Sequence, residues 1–284
     1  MITGLNINLT VGSWTVQRLP FAELCLERGA VAGRLALELP DPQGELSRAL
    51  RNNDPVGLFF GYRGDQGPAS ASASSTGTGP AGYGSGPAAR WRGKITEIKG
   101  AGKTVKITAL SPEKALIDTR VTECFHKESG RQVARRLITL AGLAPGRLEG
   151  PDETIPHLVF SGQAVCDCLR QVNATLERVY EHDMAAQVYW QGQDGRVNWG
   201  DFDEPGPRAV FATGDNLISH DPLGVDEGRV TGFLFPGLLH SQQIIIRDAK
   251  RGLEITKRAL TVRHQLGAKG NLTIVSYGKE KGYA

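Results

Sequence analysis

The hydrophobic period changes twice along this chain. Leu5, Ile7 and Leu9 alternate with Asn6, Asn8 and Thr10; Val31, Leu35, Leu37 and Leu39 keep a period of two; Val105, Ile107 and Ala109 alternate with Lys106 and Thr108. Successive side chains of a strand point to opposite faces, so this period means one buried face and one wet face. In the middle the period lengthens. Val133, Leu137, Leu140 and Ala141, then Val165, Cys168, Leu169, Val172, Leu176 and Val179, fall on helical spacing. Strand patterns return in Arg229–Phe235, Gln242–Arg247, Leu260–His264 and Leu272–Tyr277. The order predicts an α+β, mainly β chain, with two small antiparallel β-barrel domains flanking an α/β middle domain. The first barrel is expected over 1–110, the middle domain over 111–207 and the second barrel over 208–284.

Local punctuation supports that reading. Ser129 and Gln132 form a capping box ahead of the first long helix, and Gly142 with Pro145 stops it. A second helix is expected from near Ser161, with Phe160-Ser161-Gly162 as its cap. A short helix is expected around Gly44–Arg51. Asp194-Gly195 is a hairpin signal between Ala186–Trp190 and Arg196–Trp199, whose tryptophans are expected to pair across the hairpin. Gly64–Arg90 breaks every pattern: 23 of its 27 residues are Gly, Ala, Ser, Thr or Pro. Such a segment buries too little apolar surface to offset its ordering entropy. It reads as a flexible excursion in a hairpin with arms Pro55–Tyr62 and Trp91–Lys99, tolerated because closure entropy grows slowly with loop length. The excursion holds seven of the 36 glycines; the other 29 are spread along the chain, 20 of them in the two β ends.

Charge and motif searches exclude several functions. With 33 basic and 30 acidic residues the net charge is +3, far from the basic stripe expected of a nucleic-acid binder. No apolar run reaches a membrane-spanning length, and the start MITGLNINLT predicts no secretory leader. The four cysteines, Cys25, Cys124, Cys166 and Cys168, are expected to be reduced thiols rather than a disulfide framework. Gly100–Thr104 (GAGKT) imitates a phosphate loop, but Glu97 stands where the motif needs glycine and Thr104 opens a strand; a hairpin turn is expected. Cys166-Asp-Cys168 and Cys124-Phe-His126 lack structural zinc spacing, so no metal is expected. None of the six histidines forms HExxH, and no Gly-x-Ser-x-Gly elbow occurs. Trp14, Trp91, Trp190 and Trp199 are dispersed and read as packing residues. No catalytic, cofactor or metal residue is assigned. Two functions stay open beside a structural one: a peptidoglycan hydrolase using Glu181, Asp183 or Asp201, and a carbohydrate-binding β module.

Asp54–Gly61 with Trp91–Thr96, Val105–Ser111 before the Ser129–Ala141 helix, and Val159–Gly162 with the Val165–Val179 helix follow one another along the chain. The Trp190/Trp199 hairpin, Thr213–Leu217, Phe235–Leu238, Ile244–Arg247, Leu260–His264 and Asn271–Ile274 continue the series. In this order they resemble the baseplate hub proteins of contractile phage tails, the late control D or tail-hub family, which is related to the N-terminal part of type VI secretion spike proteins (VgrG). The resemblance implies no catalytic residues. It implies a homotrimer whose two barrels per chain make a pseudo-sixfold ring, matching a sixfold tail tube to a threefold central spike. The implied partners are the tail tube and central spike proteins, with baseplate wedge and tape measure proteins as further neighbours. No needle or lysozyme extension is expected after Ala284, so a separate spike chain is implied. The implied place is the virion tail baseplate, assembled in the host bacterial cytoplasm.

Overall fold

A computed structural model describes residues 5–16, 19–30, 32–62, 88–192, 194–206, 208–268 and 270–278. The protein is mainly β. The N-terminal strands are β1 (Leu5–Val11), β2 (Trp14–Val16), β3 (Phe21–Glu27), β4 (Arg34–Pro40), β5 (Pro55–Tyr62), β6 (Ala89–Ala101) and β7 (Thr104–Leu110). The short helix α1 (Glu45–Ala49) stands between β4 and β5. Alternation does what it predicts: Leu35, Leu37 and Leu39 are buried along β4, and Val105, Ile107 and Ala109 along β7. Each such leucine contributes about 1.5–3 kcal/mol by leaving water. β5 and β6 pair antiparallel from Pro55↔Lys94 to Phe60↔Ala89, so the arms of the long hairpin meet as expected. Most of the Gly64–Arg90 excursion lies outside the described residues.

The middle segment holds α2 (Ala115–Asp118), β8 (Arg120–Ser129), α3 (Gly130–Leu140), β9 (Pro145–Leu148), β10 (Thr154–Ala164), α4 (Val165–Tyr180), β11 (Val188–Gln191) and β12 (Val197–Gly200). The capping box forms: Ser129 Oγ accepts from Gln132 N–H at 3.4 Å, and Gln132 Oε1 accepts from Ser129 N–H at 2.9 Å. β8 and β10 pair as a long antiparallel ribbon. Its inner residues Val121, Phe125, Ile155, Leu158 and Phe160 share a buried cluster with Val133, Leu137, Leu169, Val172 and Leu176 of α3 and α4. Two expectations change. α4 starts at Val165 rather than near Ser161, because β10 continues through a bulge between Phe160 and Gln163, with Gly162 at φ 63. The tryptophans do not pair, since the β11–β12 register sets Tyr189 opposite Trp199 and Trp190 opposite Asn198. A one-residue offset in register moves a side chain to the other face. Tyr189 stacks on Trp199 instead, with centroids 5.5 Å apart.

The C-terminal strands are β13 (Ala209–Ala212), β14 (Leu217–Pro222), β15 (Gly228–Phe233), β16 (Gln243–Asp248), β17 (Leu253–Arg258), β18 (Thr261–Gly267) and β19 (Leu272–Tyr277). Here the expected barrels are corrected. Four strands from this end join the seven N-terminal ones in a single sheet of order β14-β15-β19-β18-β3-β4-β7-β6-β5-β1-β2. Among the described residues no sheet closes into a barrel. The junction is β18 beside β3. Ala268 N–H donates to Pro20 O at 3.1 Å. A Cβ on Gly267 would lie 2.3 Å from that same oxygen, so only glycine permits the approach. Alternation fixes which face of a strand is buried; it does not fix the lateral neighbour. The described chain forms two compact bodies. One takes the segments up to Cys25, Arg34–Ala109 and Pro205–Gly278; the other takes Leu26–Gly33 and Leu110–Glu204.

Candidate functional site

The residues that the sequence singled out have structural employment. Gly100–Thr104 is the tight turn between β6 and β7, with Gly102 at φ 64. Cys168 is buried beneath α4, and burial pushes its thiol up to about 11. None of the four cysteines is joined in a disulfide. Glu181 ends α4 at φ 58. Asp183 Oδ1 accepts from Ala185 N–H at 3.0 Å. Asp201 lies 3.7 Å from the buried Arg28 guanidinium, which also donates to Gly200 O at 3.0 Å and stacks 4.2 Å over the Trp190 ring. Of the hydrolase reading's three residues, Glu181 thus ends a helix by its backbone, while the carboxylates of Asp183 and Asp201 serve a turn and an ion pair.

The buried ionisable groups are others, which motif searching missed. Glu204 Oε1 accepts from Trp190 Nε1 at 2.8 Å and from Asn198 Nδ2 at 2.7 Å. Burial pushes its carboxyl above the ordinary value, and these two donors pull the other way. In the sheet body, His220 bridges Asp248 Oδ2 at 3.1 Å and Tyr277 OH at 2.8 Å. A carboxylate only accepts, so His220 Nδ1–H is the donor there. Arg251 donates to the same Asp248 oxygen at 2.8 Å and to His220 O at 2.7 Å. The Arg251 hydrogen bond, helped by His220, holds the Asp248 carboxyl below its ordinary value against the opposing effect of burial. His264 is fully buried. Its Nε2–H donates to Leu238 O at 3.0 Å, and Nδ1 faces Thr273 Oγ1 at 3.1 Å. Thr273 Oγ1 in turn accepts from Phe235 N–H at 2.8 Å. Burial pulls His264 down to about 4, so its ring is neutral at physiological pH. A His–Asp pair inside a protein invites a catalytic reading. His220 and Asp248 are 4% and 2% exposed, however, which leaves a substrate no approach; the network braces strands.

What the sheet offers to the outside is its margins. β14 and β2 are its terminal strands among the described residues. A terminal strand presents unpaired N–H and C=O groups to any chain that can align with them. β14 carries Ile218, and the turn after it carries Leu223 and Val225, exposed by 51%, 69% and 101%. Trp14 on β2 is 41% exposed. The signal at the first margin was readable: Leu223 and Val225 sit in Pro222-Leu-Gly-Val-Asp226, a turn composition that normally carries polar side chains.

This sheet margin, the open sheet and the helix–ribbon body can be set beside known structures. A tail protein from Neisseria meningitidis superposes with a TM-score of 0.65 at 10% identity, covering 98% of this chain and 97% of that one. A 43 kDa tail protein of prophage MuSo2 from Shewanella oneidensis gives a TM-score of 0.67 at 9% identity, over 97% and 98%. The chain has the fold of phage tail proteins. An Escherichia coli component of the type VI secretion system, itself similar to the T4 tail proteins gp27 and gp5, matches at 0.60 and 9% identity, over 97% and 78%. The tail and spike-hub fold thus extends over nearly the full length of this chain. No family model matches the sequence, and no curated protein matches it significantly. Sequences 10% identical or less keep the layout of strands but not the residues that would be recognised by comparison.

Proposed function

We propose that this protein is a structural baseplate hub of a contractile phage tail or related injection machine. In this reading three copies close into a ring that joins the sixfold tail tube to the threefold central spike, at the virion baseplate after assembly in the host cytoplasm. The observation that carries it is near-complete mutual coverage with two phage tail proteins. The sheet margins add a physical means. Copies that join head to tail through different surfaces make a closed ring when the rotation allows it. The exposed apolar turn after β14 and the open strand β2 are two such different surfaces. A net charge of +3 on 284 residues puts little electrostatic repulsion in the way.

Negative-stain electron microscopy of the full chain, alone and mixed with tube and spike proteins, tests the proposal. Rings of three copies are expected, with spike protein bound on the axis. A cell-wall turbidity assay tests the opposing enzymatic reading. Lysis that disappears in Glu181→Gln or Asp201→Asn would overturn the structural one.

A further inference from the structure

The outer face of the β8–β10 ribbon carries three metal-ligating side chains that the hub reading does not use. Cys124 and His126 are two apart on β8, so they share a face. On β10, His157 stands directly opposite His126, and Val159 opposite Cys124. Cys124, His126 and His157 are all exposed, while Phe125 and Leu158 between them are buried. Cys124 Sγ lies 3.8 Å from His157 Nε2. The His126 and His157 rings stand 5.9 Å apart between centroids, at 80°.

Zinc binds sulfur at about 2.3 Å and imidazole nitrogen at about 2.0–2.1 Å, so tetrahedral ligand atoms sit about 3.5 Å apart. The Cys124–His157 pair already has nearly this spacing. Among the described residues no three such groups stand so as to hold a metal ion. Closing a site here requires the exposed His126 side chain to rotate, a motion that such side chains make in nanoseconds or less. The backbone beside the pair is special too. Pro156 has no N–H for the ladder, and Lys127, beside His126, takes φ 53, a region that residues with a Cβ rarely occupy.

We propose that Cys124, His126 and His157 bind one divalent ion of the zinc class, with the fourth position open to water. Thiolate and imidazole together favour Zn²⁺, with Co²⁺ as its spectroscopic substitute. On binding, the Cys124 thiol gives its proton to solvent and the sulfur lone pair forms the metal bond, so affinity rises with pH. The bound ion ties the two ribbon strands together across their register. The sequence hid the site because its third ligand lies 31 residues beyond the Cys-x-His pair, in a strand that sequence analysis did not find.

The test is Co²⁺ titration of the reduced full-length chain, read by the thiolate-to-cobalt band in the near ultraviolet and by back-titration with Zn²⁺. One ion per chain is expected, with the cobalt band bleached by Zn²⁺. Cys124→Ser should abolish the band, while Cys166→Ser keeps it. His126→Ala and His157→Ala should each weaken binding by at least about tenfold, since even outer-shell partners are worth that much. Circular dichroism of the metal-free variants should match the parent, because the three side chains are exposed. Absence of saturable binding overturns the proposal, and so does an unchanged cobalt band in Cys124→Ser.

Discussion

The two ends of the eleven-stranded sheet are built differently. The N-terminal strands bury an apolar face: Leu9, Val11, Leu35, Leu37, Val56, Leu58, Phe60, Val105 and Ile107 are almost fully covered. Its C-terminal strands place His220, His264 and Thr273 at buried positions among Val230, Val262 and Val275, and His220 bonds to the buried Asp248 of β16, a strand of another sheet. The first half is held by area removed from water, which is indifferent to register among similar residues. The second adds hydrogen bonds that only one arrangement satisfies, at the risk of leaving a costly unpaired group if any partner is lost. Phe60 and His264 meet edge to face, with centroids 5.2 Å apart, where the two kinds of core touch.

The largest effect expected is on the apolar side. Phe60→Ala should cost about 3–5 kcal/mol by lost transfer and an unfilled cavity, measured by urea denaturation at pH 8. A loss below about 1 kcal/mol would mean that this face is not a packed core. Next comes acid sensitivity of the polar side. His264 takes its proton at about 4 in the folded protein, against 6.5 when exposed. Between those values the unfolded chain binds a proton that the folded one refuses, so stability is full above about pH 6.5 and falls towards pH 4. The fall attributable to His264 is about 3 kcal/mol. His264→Gln keeps a donor for Leu238 O and should flatten the profile in that window, while the Phe60→Ala penalty is read outside it. An equally steep profile in His264→Gln would assign the acid loss elsewhere. Tyr277→Phe removes one bond to His220 and should cost about 1–3 kcal/mol.

The same difference explains what could be read from the sequence. The N-terminal strands β4, β5, β6 and β7 were legible because apolar residues alone mark their buried face. β14, Leu-Ile-Ser-His-Asp-Pro, was not, because its one buried residue is His220 and its apolar Ile218 is exposed. β8 and β10 were hidden because each runs straight into a strong helical pattern, α3 and α4 respectively, although Leu158 and Phe160 do alternate in β10. The helices α3 and α4 were found, since helical spacing is local; the start of α4 was not, since a bulge at Gly162 is a tertiary choice. The closed barrels were an error of another kind. Period two carries no information on which strand lies beside which, and the β3–β18 neighbourhood depends on a close approach at Gly267.

The smallest effect belongs to the excursion between the paired arms of β5 and β6. Deleting Asp65–Ala88 should change stability by well under about 1 kcal/mol, since closure entropy varies only with the logarithm of loop length. A drop of several degrees in melting temperature would show that this segment packs on the protein.

The hub proposal itself turns on whether copies join through the margins of the sheet. Multi-angle light scattering of the full chain, beside an Ile218→Asp, Val225→Asp double variant, reads this directly. Both side chains are exposed, so the variant should melt as the parent does. The expected result is a parent of three times the chain mass of 30.6 kDa and a variant of single chain mass. A monomeric parent that also fails to bind tube or spike proteins, or a variant that still assembles as the parent does, would contradict it.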